Sequence, residues 1–277
     1  MAWVPNYVLV SGQLQQQGQI NVTSVPYVES SGYIANFGIV SSGETDSGDQ
    51  VAGSGGILIS AGGTASGATL NGSGAYLEID GLAVSTTVLS GQVDVDHGGT
   101  ASATTVYIGG SLNVGLASVS AGGLAIGTTL SGGAENVQGT GSASGITIDS
   151  GGVLQVAHPG YGPGTVANVT INSSGYEFVY SGGVDSGVAI SGGGQLYVGY
   201  FAVGAGGTVS SATIYSGGEE VVELGGVDIN AAISSGGFQF LGSASGYAGG
   251  GTASGTVVSG GGVQFVGFGG TAIHHHR

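Results

Sequence analysis

Residues 131–149 read SGGAENVQGTGSASGITID, and at Ser150 the text restarts as SGGVLQV, 19 residues on. From Ser216 the chain reads SGGEEVVELGGVDINAAIS, and the next Ser-Gly-Gly opens at Ser235, again 19 on. The step from Ser173 to Ser191 is 18, while other steps run from 23 to 25. The excess falls in three insertions, at 158–163, 200–207 and 243–251. Self-similarity at a period near 20 is the mark of a solenoid or array, in which each unit is too small to bury its own apolar face and must stack on its neighbours.

Working outward from this stretch, the units read alike. Ser-Gly-Gly is followed by a short apolar/polar alternation, as in Val153-Leu154-Gln155-Val156 and Gln195-Leu196-Tyr197-Val198. A second glycine turn follows, then a second strand, as in Ala101 to Val106, Ala125 to Leu130 and Ala212-Thr213-Ile214. Alternating, β-branched runs bounded by glycine pairs are strands and turns, and no glycine-free window shows helical periodicity. Two strands and two turns per unit predict an all-β fold: a parallel β-helix, right-handed as parallel crossovers are, of roughly a dozen coils and about 55–65 Å long at the spacing of stacked strands. An antiparallel propeller or prism is the alternative, but its blades need about 40 residues.

Composition agrees and excludes a good deal. The chain has 277 residues, 63 of them glycine, and only 6% are charged. Lys plus Arg totals one, at Arg277, against 16 Asp and Glu, for a net charge of −15. A nucleic-acid binder needs a basic footprint, a P-loop needs its lysine, and docking on anionic lipid needs basic residues. All three are excluded as partners or activities. Four prolines exclude collagen, and 40% hydrophobic content argues against disorder. There is no cysteine, hence no disulfide or thiolate chemistry. No apolar run is long enough to insert in a membrane, and no motif calls for a cofactor.

Residues 1–40 differ. They hold the only Trp, two of the four prolines and a glutamine cluster, and they predict an N-terminal cap merging into the first coil. Residues 41–273 form the repeats. The tail 274–277, with His274, His275 and His276, receives no role. The N-terminus lacks the basic and apolar regions of a signal peptide.

The units resemble the AIDA-type repeat of bacterial autotransporter adhesins, which runs about 19 residues around Ser-Gly-Gly, a Val-rich strand and Gly-Gly-x-Ala-x-x-Thr-x-Val. The best matches are 121–130, 216–235 and 98–106, within a similarity covering about 41–273. The resemblance implies a passenger segment, secreted or displayed on a Gram-negative surface, that acts in adhesion, self-association and biofilm, contacting glycans or proteins of host or bacterial surfaces. It also implies a glycosyltransferase as partner, since in some members serines of the repeat carry heptose added by a cytoplasmic enzyme. The acceptors here would be Ser131, Ser150, Ser181, Ser191, Ser216 and Ser259. The family's translocator barrel is not read in this chain.

Other constellations are weighed against simpler readings. Asp94 and Asp96, with Glu78 and Asp80 one unit earlier, are the most enzyme-like group, since paired carboxylates cleave glycosides and carboxylate ladders bind calcium. With no Arg or Lys to hold a substrate, the preferred reading is a solvated acidic face. Glu219, Glu220 and Glu223 read as a solubilising patch, and His97 and His158 as lone histidines. Tyr161, Tyr200 and Phe201 place aromatics in two insertions, where they would contact a sugar or a partner. Thr86-Thr87, Thr104-Thr105 and Thr128-Thr129 suggest a threonine array of the ice-binding kind, which irregular unit lengths should break. The leading expectation is a non-enzymatic adhesive solenoid; the alternatives are a carbohydrate-active β-helix enzyme and a self-polymerising scaffold.

Overall fold

The computed structural model describes residues 37–116, 121–199, 206–243 and 249–274, together with the backbone of strands Ala2–Val10, Gln13–Val22 and Tyr33–Ile34. The first two of these strands form an antiparallel hairpin. From Tyr33 onward every named strand pairs in parallel with its counterparts one coil away. Val153, for example, lies opposite Ala134 and Tyr176. The chain is a parallel β-solenoid, and among the described residues there is no helix.

Each coil has three strands, where the sequence predicts two. Thr100–Ser102 belongs to a first face, a sheet of 12 strands running from Thr45–Ser47 to Thr271–Ile273. Thr105–Tyr107 belongs to a second face and Gly110–Val114 to a third. The run Ala101 to Val106, which reads as one strand, is broken by a corner of a single left-handed residue, Ala103 at φ 55°. The equivalent residue is Gly127 at φ 70° and Asn168 at φ 56° in later coils. One left-handed residue turns the chain, a single glycine in some coils and Ser, Ala or Asn in others, so this corner leaves no glycine-pair signature. Its amide is not lost to solvent: Gly127 N–H donates to Ser144 O at 2.8 Å and Asn168 N–H to Ser186 O at 2.8 Å, each in the next coil.

The two glycine-paired corners follow a different logic. The second glycine of each pair lies where the coil beneath comes closest. A Cβ on Gly123 would sit 1.9 Å from Val95 O, and one on Gly218 would sit 2.4 Å from Ile190 O. Glycine here allows backbone to pass over backbone at strand spacing.

The core follows from the alternation. In Val153–Val156, Leu154 and Val156 are fully buried while Val153 and Gln155 lie half-buried on the outside. The same alternation in most coils stacks Ile, Leu, Val and Ala into one apolar core cluster. Each fully buried Val, Ile or Leu contributes about 1.5–3 kcal/mol.

The insertions share one corner, between the third face and the next first face. They comprise 157–164, 199–207 and 242–251, close to the expected bounds, and a fourth at 115–123 that the sequence reading passed over. From the 115–123 corner onward, long and short corners alternate, giving a two-coil repeat in that part: Leu112, Leu154 and Leu196 precede long corners, Glu135, Glu177 and Glu220 short ones, and the corners of the earlier coils are all short. Because the long insertions are confined to one corner, the third-face strands from Gly110–Val114 onward stay in register; the irregular pairing is that of Thr69–Ile79 with Thr87–Val95.

The steric argument is testable. Gly123→Ala should destabilise the fold by about 1–3 kcal/mol. Gly260→Ala, where a Cβ meets nothing within 4 Å, should leave the denaturant midpoint unchanged.

Candidate functional site

The outward side chains of the third face form columns whose chemistry changes along the solenoid. The column through the third position of each strand runs Glu78, Asp94, Asn113, Asn136, Gln155, Phe178 and Tyr197, with Phe240 and Phe265 further on. Within this run acids come first, then amides, then aromatics; Ile39 and Leu58 precede Glu78 in the column, and Val221 stands between Tyr197 and Phe240.

At the acidic end, Glu78 stacks on Asp94 in register, as the spacing predicts. The group is roofed over rather than solvated, which corrects the reading of an open acidic face: Asp94 is 4% exposed and Asp96 is fully buried. The Tyr76 hydroxyl lies between the two stacked carboxylates, bonded to Glu78 and 2.9 Å from Asp94 Oδ2. Gln92 Nε2 donates to both oxygens of Asp94 at 2.9 and 2.8 Å, and Asn113 Nδ2 donates to Oδ1 at 2.6 Å. Asn136 Nδ2 continues the ladder to Asn113 Oδ1 at 2.8 Å. Leu116 N–H donates to Asp96 Oδ1 at 2.7 Å. Burial and the neighbouring charges of Asp94, Asp80 and Asp96 push the Glu78 carboxyl up to about 7, against the lowering effect of the Tyr76 hydrogen bond. His97 Nδ1 lies 2.9 Å from Asp80 Oδ1, so this histidine is not a lone one. Glu78, Asp80 and His97 bring one ligand atom each within 4.8 Å of one another, but Tyr76 and the Asp80–His97 pair already engage all three.

At the aromatic end, Tyr176, Phe178 and Tyr197 stack with ring centroids 6.4 and 5.2 Å apart and planes within 13°. Tyr161 lies on the long corner 157–164 and is 47% exposed. Its ring packs 5.6 Å from His158, which in turn meets Tyr180 edge-on at 5.4 Å. Tyr161 is therefore both displayed and braced, and His158 is the brace. Tyr200 and Phe201 lie outside the described residues.

The corner between the second and third faces carries the serines. Ser150, Ser191, Ser216 and Ser259 sit on this corner, and Ser131 ends the second-face strand Thr129–Ser131 that leads into it; Ser181 sits instead on the corner between third and first faces. Ser150, Ser181, Ser216 and Ser259 are exposed. Ser131 and Ser191 are half-buried, and Ser191 Oγ donates to Asn172 Oδ1 at 3.2 Å. The corners are tied to each other, with Ser150 N–H to Ser173 O at 3.1 Å and Gly217 N–H to Gly236 O at 2.9 Å. The row thus runs along one edge of the rod at about 4.8 Å per coil. Exposed Ser173 and Ser235 belong to it too. Ser235 opens a Ser-Gly-Gly of its own, so its place in the row was open to the sequence reading.

Two further expectations change. Glu220 is not part of a solvated patch: it points inward from Glu219–Val222 and is fully buried, because it occupies the core phase of the alternation. The threonines keep a regular array despite unequal unit lengths. Thr69, Thr87, Thr105, Thr129, Thr147 and Thr170 are in register over six coils, whereas Thr86, Thr104 and Thr128 are buried.

No protein-family model matches this chain, and no curated protein matches it. Among solved structures, the chain is similar to the TibC-catalysed hyper-glycosylated TibA55-350 fragment, at 28% identity over 89% of this chain and 88% of that one, with a TM-score of 0.75.

The acidic end yields a titration test. Tyr76→Phe removes the donor that favours the ionised Glu78, so the Glu78 carboxyl should titrate above its value of about 7. A carboxyl NMR titration that finds it unmoved or lower would contradict the shared-hydroxyl geometry.

Proposed function

We propose that this chain is a β-helical passenger segment of a secreted or surface-displayed bacterial adhesin, acting without catalysis and carrying sugars on its corner serines. Two observations support this reading: the AIDA-type repeat, and the likeness in fold and sequence to a chain whose structure was solved in hyper-glycosylated form. The observation that carries it is the row of exposed serines along one edge. A glycosyltransferase acting on such a row meets a serine on the same turn in each coil from Ser150 to Ser259.

The adhesive work follows from the same geometry. Long corners recur every second coil, about 9.6 Å apart at two strand spacings, and flank the aromatic part of the third face. Many weak contacts to surface glycans, to proteins or to other copies of the chain then add through avidity rather than through one deep pocket. Asp94, the best candidate for acid–base chemistry, has both oxygens engaged by Gln92 and neighbours, which weighs against the glycosidase alternative.

Intact mass spectrometry of the chain co-expressed with TibC, or taken from its native host, tests the modification. The expected result is a series of sugar-sized steps above 26.4 kDa, shortened when Ser150, Ser216, Ser235 and Ser259 are replaced by alanine. A single bare mass from both sources would contradict it.

A further inference from the structure

A solenoid core of Val, Ile, Leu and Ala has no need of acids, yet five fully buried ones lie on its described strands. Glu135, Glu177, Asp185, Glu220 and Asp228 all have 0% exposure. They are the inward residues of their strands and are arranged in layers. Glu177 on the third face and Asp185 on the following first-face strand face each other across the coil. Leu196 and Val209 fill the same two positions one coil on, and Glu220 and Asp228 fill them in the coil after that. Acid layers therefore alternate with apolar ones, following the two-coil repeat.

No cation neutralises them, since no Lys or Arg occurs before Arg277. Among the described residues, the groups facing Glu177 are Asp185 and Glu220, and those facing Glu220 are Asp228, Asp185 and Gln239. Asp185 is faced by Glu177, and Asp228 by Gln239 and Glu220. Glu135 has only the Thr128 hydroxyl, 3.5 Å away. Gln239 Nε2 donates to Glu220 Oε2 and to Asp228 Oδ2, both at 2.7 Å, and its Oε1 accepts from Gln264 Nε2 at 2.8 Å. That satisfies one oxygen of each acid and leaves Glu220 Oε1 without a side-chain donor; Asp228 and Asp185 also meet the N–H of Ile229 and Ser186, while Glu177 has only the Asp185 carboxyl. An ionised carboxylate only accepts. Two that face each other in a dry core hydrogen-bond only when a proton makes one of them a donor.

We propose that Glu177 with Asp185, and Glu220 with Asp228, each hold at least one proton per pair in the folded chain, so that folding of this part of the solenoid takes up protons and is strongest in acid. Burial drives the shifts in this direction: Asp185 and Asp228 are pushed up to about 6, Glu135 to about 8, and Glu177 and Glu220 upward as well. The unfolded chain releases the same protons near pH 4. The stability these groups contribute is therefore fully present below about pH 4 and is lost as pH rises through the folded values. This is the reverse of ordinary acid denaturation, and it stands independently of the adhesin reading.

The test is denaturant unfolding of the full chain between about pH 4 and pH 9, with and without chelator, beside the variant Glu177→Gln/Asp185→Asn/Glu220→Gln/Asp228→Asn, whose amides mimic the neutral acid. The midpoint of the unsubstituted chain should fall as pH rises, and that of the variant should fall less. Its infrared spectrum at neutral pH should show the C=O stretch of protonated carboxyls, weakened in the variant. If the variant does not fold, proton uptake on refolding the unsubstituted chain near pH 6 decides instead: an uptake of two or more protons per chain supports the proposal, and none overturns it. A midpoint that is flat or rises with pH, an absent protonated band, or stability that collapses with chelator would also overturn it, the last by showing that a metal ion and not a proton holds the pairs.

Discussion

Every feature of this molecule depends on one coil lying within a strand spacing of the next. The backbone of each strand is satisfied only by its counterparts in adjacent coils, so the corners must pass as closely as the strands do. At Gly123 and Gly218 that approach leaves no space for a Cβ. At Asn168 and Gly127 a single left-handed residue turns the chain and still donates its amide across the gap. The abundance of glycine thus reflects coil contact more than flexibility. The scarcity of charge fits the same constraint, because like charges stacked at this spacing repel at every rung.

The constraint also decides where variation is tolerated. Extra residues placed in a face would break the ladders above and below. The long corners all fall between the third face and the next first face, and the described strands on either side of them remain paired. The solenoid therefore presents three kinds of surface: a flat Thr- and Ser-bearing pair of faces, an edge of corner serines, and a third face that passes from acids to aromatics beside the long corners. A row of corner serines and a set of long corners repeated along one edge are what a glycosylated, multivalent adhesive rod requires.

Much of this was legible in the sequence because glycine pairs and strict alternation report backbone geometry directly. The solenoid, its parallel stacking and three of the four insertions follow from Ser-Gly-Gly spacing and runs such as Val153-Leu154-Gln155-Val156. The third strand of each coil was hidden, since Ala103 turns the chain with no glycine signal. Glu220 was misplaced because charge was weighed above phase: it stands in the position that Leu196 fills one coil earlier, and phase puts it inside. Asp94 was expected in solvent because the roof made by Tyr76, Gln92 and Asn113 comes from neighbouring coils and from its own strand, a juxtaposition that depends on a register the sequence does not display.

Amide hydrogen exchange resolved to single residues tests the stacking of the corners most directly. The account predicts that the corner amides of Gly127, Asn168 and Gly217, which donate to the adjacent coil at 2.8, 2.8 and 2.9 Å, are protected as strongly as the strand amides beside them. Corner amides that exchange at the rate of open turns, between protected strands, would contradict it and would mean that the coils meet only along their faces.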